Sequence, residues 1–163
     1  MNPTFGAPWS WSLKIVTGFC VVVCCVAVVA LEMTAVRASQ PAMKWFTCVP
    51  LLVLFGGAPF MVRGYSISDR TLVIHRLGWT TRFDLSSFAS ATADPEALKN
   101  SIRLFGNGGL FVIAGWFTNR RLGRYRAFAT DPNRAVALKF LDRVVVVTPD
   151  DPARFVREIM RRK

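Results

Sequence analysis

The chain has 163 residues, 52% of them hydrophobic, with four cysteines, one histidine and a net charge of +11. Cys20, Cys24, Cys25 and Cys48 all lie in apolar stretches without His or carboxylate partners at ligand spacing, which excludes a cysteine-based metal or redox site. They read instead as small apolar side chains, and the absence of cysteine further along suits a reducing compartment.

Trp9 and Trp11 open the chain beside Pro3 and Pro8. Tryptophans ahead of an apolar run suit the headgroup level of a membrane. Two apolar stretches follow, Ile15 to Met33 and Trp45 to Val62. Each is near the roughly 20 residues with which a helix crosses a bilayer core. The first is rich in Val, which in lipid is helical because the backbone must satisfy itself. Its apolar core is too long for a typical signal peptide, although Val36-Arg37-Ala38 offers a cleavage-like site. Pro50, Gly56-Gly57 and Pro59 predict a kink or an early end in the second stretch. Residues 1–62 therefore read as a two-helix transmembrane hairpin, and residues 63–163 as one compact domain. No ionisable residue marks an ion path within either stretch.

The charge is uneven. Residues 1–62 hold three basic groups and one acidic group, and the other 18 basic and nine acidic groups fall in residues 63–163. Arg63, Arg70, Arg76 and Arg82 follow the second stretch closely, against Arg37 and Lys44 in the connection. Positive charge marks the cytoplasmic side, so the expectation is a multi-pass cell-membrane protein with a cytoplasmic domain. A tethered basic domain meets anionic lipid headgroups, which leaves nucleic acid an unexpected partner.

From Tyr65 the apolar period becomes two. Tyr65 and Ile67 alternate with Ser66 and Ser68, Asp69-Arg70 turns the chain, and Thr71 to Arg76 is a second strand. Phe83 and Leu85, Ala89 to Ala93, and Ile102 and Leu104 continue the pattern. The run Leu110 to Ile113, then Tyr125 to Ala127, Val136 to Phe140 and Val144 to Val147, complete it. Asp94-Pro95-Glu96 reads as a turn or a short helix start. Asp150-Asp151-Pro152 opens a final helix with Phe155, Val156, Ile159 and Met160 on one face, and Phe155 is expected to seal the core.

The segments Arg103 to Phe111, Gly115-Trp116-Phe117, Leu122-Gly123-Arg124-Tyr125, Ala129-Thr130-Asp131 and Thr148 to Pro152 resemble the membrane-attached bacterial pleckstrin-homology (PH)-like family. The resemblance covers roughly residues 62–160. It implies an α+β architecture: the hairpin, then a PH-like domain of about seven antiparallel strands closed by a C-terminal helix. It implies a non-catalytic binding or scaffolding protein, with no cofactor and no ligand residues to carry over. Its partners would be the membrane and either another protein or a second copy of itself. An accessory subunit acting mainly through its hairpin is the alternative. Specific phosphoinositide reading is not expected, because the first hairpin closes on the short Asp69-Arg70 turn.

Four arginines, Arg120, Arg121, Arg124 and Arg126, are the candidate contact for anionic lipid or an acidic partner. The competing reading is a solvated strand edge that discourages aggregation. Gly106-Asn107-Gly108-Gly109 could cradle a phosphate, but the following Leu110-Phe111 is no P-loop, so a connection needing positive φ is expected. His75, Ser66, Ser86 and Asp84 form no recognisable nucleophile motif.

Overall fold

A computed structural model describes residues 3–37 and 45–162. Among these residues, β1 (Thr4–Gly6), β2 (Val62–Ser68), β3 (Thr71–Arg76) and β4 (Thr80–Asp84) form a four-stranded antiparallel sheet in that order. A six-stranded sheet contains β5 (Phe88–Ala93), β6 (Ile102–Gly108), β7 (Ile113–Asn119), β8 (Gly123–Ala129), β9 (Val136–Phe140) and β10 (Val144–Val147). Its order is β5-β9-β10-β8-β7-β6. The expectation of about seven antiparallel strands is thus corrected on number and on direction. β8 and β9 leave a gap between them, the β9–β10 hairpin returns the chain into it, and β10 therefore lies parallel to β8. The expected strand over Leu110 to Ile113 begins only at Ile113.

β1 precedes the first apolar stretch in sequence yet pairs with β2, with Phe5 opposite Tyr65. The four-stranded sheet therefore draws a strand from across the expected boundary at residue 62. Three residues with one apolar position were too short a pattern to read as a strand. Between the sheets, Tyr65, Ile67, Leu72 and Ile74 meet Phe128 and Leu138 in one core. Helix α3 (Pro152–Met160) closes one end of it. Asp151 caps the helix by accepting from Arg154 N at 2.9 Å, and Pro152 needs no donor at its first turn. Phe155 and Ile159 are fully buried, whereas Met160 is exposed and does not join the core face. On the outer face of the larger sheet, Ala97 covers Phe117 and Tyr125.

Helix α1 (Trp11–Arg37) starts earlier than the expected Ile15, because Ser10 Oγ accepts from Leu13 N and caps it. It is long and apolar enough to cross a membrane, and nearly all of its apolar window is exposed. The second apolar stretch is helical from Trp45 to Phe60, with α2 (Cys48–Gly57) as its core, and falls short of that length. The expected two-helix transmembrane hairpin is therefore not shown: among the described residues there is one candidate span. The second helix tightens into a 3-10 turn at Ala58–Phe60 and stops, where Pro59 removes a backbone donor. Most of the connection, including Pro41 and Lys44, lies outside the described residues.

Candidate functional site

The glycine-rich block is a socket for α1. Asn107 Oδ1 accepts from Gly109 N and Leu110 N, closing the turn on itself. Gly106 and Gly109 have φ of +118° and +151°, so the expected positive φ is found. Gly106 faces Gly115 across β6 and β7, and a Cβ on Gly115 would lie 2.1 Å from Phe105 O. Glycine is required for that approach. Phe111 also takes positive φ, at 65°. Its backbone N–H donates to Thr17 Oγ1 at 3.0 Å, and Thr17 in turn donates to Gly109 O at 3.3 Å. Leu13 and Thr17 are buried there. These donors are spent on α1, which leaves the block no phosphate cradle of the kind weighed from the sequence.

Beside this socket lies a cleft of about 570 Å³. The last turns of α2 (Val53, Gly57) and Phe60 form one wall, and Phe105, Trp116 and Phe128 line the sheet side. Three arginines enter it: Arg76 from the end of β3, Arg103 from the edge strand β6 and Arg126 from β8. No carboxylate lines it. Arg76 is only 9% exposed. Its guanidinium stacks on Phe128 at 4.6 Å and on Trp79 at 5.3 Å, which offers π-electron density but no acceptor. Its Nε is buried without a hydrogen-bond partner among the described residues. Burial, and then repulsion from Arg126, push the Arg76 pKa down to about 10. Burial and the nearby Arg143 lower that of Arg126 too.

The four arginines singled out from the sequence separate. Arg120 and Arg121 sit in the β7–β8 turn, where Asn119 Oδ1 accepts from Arg121 N and Leu122 N. Arg121 reaches Asp94 at 2.9 Å. Both arginines line a second, mixed-charge depression with Glu96 and Lys99. Arg124 and Arg126 share a face of β8 and both lie against Trp116, at 4.7 and 5.9 Å. Of the four, only Arg126 enters the cleft. Sequence reasoning missed Arg76 and Arg103 as its companions, because they lie 27 and 50 residues from each other and from nothing basic nearby in sequence. Only the pairing of β6 with β7 and β8, and the packing of β3 over them, brings them together.

Ser66 Oγ and His75 Nε2 are 2.8 Å apart across β2 and β3. Asp84 is paired opposite Thr71 at the other end of β3 and accepts from Ser86 N, so it does not orient His75. Among the described residues no His, Cys, Asp and Glu cluster could hold a metal ion.

No curated protein and no solved structure matches the chain. Residues 63–163, in which the strands and the closing helix described above are found, match the family model described as a bacterial PH domain. The chain therefore belongs to the bacterial PH domain family.

Proposed function

We propose that the protein is a non-catalytic, membrane-anchored PH-like module that binds or scaffolds a partner at the cytoplasmic face. The observation that carries this reading is the rooting of α1 in the domain through Thr17 and the Gly109–Phe111 turn. Anchor and module are thereby one body, and a partner held by the module is held at a set height and orientation on the bilayer.

Two passes are supported by the pairing of β1 with β2. These strands flank the apolar stretches, so the chain that leaves on α1 returns to the side it left. Beyond Thr17, residues 18–37 of α1 rise about 30 Å, the thickness of a hydrocarbon core. The helix from Trp45 to Phe60 rises about 24 Å, and a bilayer adapts to a shortfall of that size at modest cost. The arginines after the second helix favour the cytoplasm for the domain.

Alkaline carbonate extraction of native membranes, combined with thiol labelling in a cysteine-free background, tests this. The chain should stay in the pellet. Ser39→Cys should react with an impermeant reagent on intact cells, and Leu141→Cys, in the domain and 85% exposed, should not. Release by carbonate, or the reverse labelling, overturns the reading. A partner search needs the full chain, since removing residues 1–62 also removes Phe5 from its edge contact with Phe155 at 5.0 Å.

A further inference from the structure

We propose that the cleft between α2 and the two sheets binds the headgroup of an anionic phospholipid. Arg76, Arg103 and Arg126 would hold the phosphate, and the acyl chains would leave along α2. Three cations converge on one cavity with no carboxylate among its lining residues. None of the three forms an ion pair or a side-chain hydrogen bond among the described residues. A buried guanidinium without an acceptor is costly and persists where something supplies the acceptor. Guanidinium forks match phosphate oxygens in geometry and charge. The volume of about 570 Å³ falls within the range of roughly 300–1,000 Å³ usual for small-ligand sites.

The walls argue for an amphiphile rather than free phosphate. Val53, Phe60, Leu110 and Phe105 add an apolar surface that a bare anion cannot use. Val53 and Gly57 belong to α2, whose other residues Leu52 and Phe55 are exposed and apolar. A lipid seated here keeps its chains against the apolar helix. The site lies at the opposite end of β3 from the Asp69-Arg70 turn, so it is not a reading of headgroups by the first hairpin.

The inference rests on the membrane reading above, and the two fail separately. Carbonate release of the chain ends that reading whatever lipid it holds, whereas a membrane-held chain without lipid preference ends only this proposal. The test is native mass spectrometry of the full chain from detergent micelles carrying equal amounts of phosphatidylglycerol and phosphatidylcholine. Wild type should retain one phosphatidylglycerol in preference. Arg76→Gln and Arg126→Gln should each lower that retention about tenfold or more, as loss of a charged hydrogen bond does. The Arg120→Gln/Arg121→Gln double variant should retain it as wild type does. Arg103→Gln, on the exposed edge strand β6, gives the same readout should Arg76→Gln fail to fold. Equal retention of the two lipids, or equal retention by wild type and the cleft variants, overturns the proposal. A rise in Tm with inorganic phosphate alone, as large as with phosphatidylglycerol, overturns the lipid as its source.

Discussion

Tyr65 and Arg76 lie on the two strands of one hairpin, both are buried, and both touch Phe128. Tyr65 OH donates to Phe128 O at 2.7 Å and accepts from Thr148 N at 3.2 Å. Arg76 lies over the ring of the same Phe128, and its Nε meets no acceptor. One end of the β2–β3 hairpin is thus a finished core, with its polar atoms satisfied from within the chain. The other end is a cavity whose charges are unanswered. A buried polar group that is satisfied stabilises the fold, whereas one left open costs stability and points outward to a ligand. Arg121 makes the same point at the surface: with Asp94 at hand it is an ordinary ion pair.

The largest effect should come from the finished end. Phe155 is fully buried against Phe5 and Tyr65, so Phe155→Ala should cost about 3–5 kcal/mol. Chemical denaturation of the full chain in detergent measures it, and a loss under about 1 kcal/mol would mean that α3 does not seal the core.

Tyr65→Phe should cost about 1–3 kcal/mol, since it strips a donor from Phe128 O and an acceptor from Thr148 N. The same variant sharpens the comparison through pH. Burial pushes the Tyr65 pKa up to about 12, from 10. Its contribution is therefore complete below about pH 10 and is lost as pH rises towards 12, because the unfolded chain ionises first. Arg76 acts in the opposite sense over this window, its folded pKa being lowered. The Tyr65 loss should thus be clearest in an Arg76→Gln background and vanish when Tyr65→Phe is added. An unchanged alkaline slope in that double variant would remove Tyr65 as its source.

At the open end, lipid-free Arg76→Met should lose nothing and gain up to about 1 kcal/mol, since an apolar chain replaces an uncompensated buried charge. Equilibrium melts without lipid decide it. A loss above about 2 kcal/mol would show that Arg76 is a structural group like Tyr65, and the contrast would collapse. The smallest effect belongs to Asp94→Asn. Its partner Arg121 has a 55% exposed side chain, so the pair should contribute less than about 1 kcal/mol, with a double-mutant cycle as the measurement.

The amino-acid pattern alone marked the apolar segments, the period-two strands, the capped final helix and the positive-φ glycines, because each rests on residues close in sequence. Phe155 was legible as a core residue for that reason: its neighbours at helical spacing named its face. Several features lay outside that reach. β1 is three residues long and owes its place to β2, some 60 residues away. The parallel pairing of β10 with β8 depends on where the chain crosses, which no local period records. The second apolar stretch had the composition of a span, but its helix ends at Phe60, where Pro59 and the fold of β2 take over. The basic patch was read from adjacency in sequence, and strand pairing redistributed it: Arg121 went to Asp94 and Arg126 to Arg76 and Arg103. Composition counts charges, but only tertiary structure decides which charges find partners, because pairing depends on distances of a few ångströms between strands far apart in the chain.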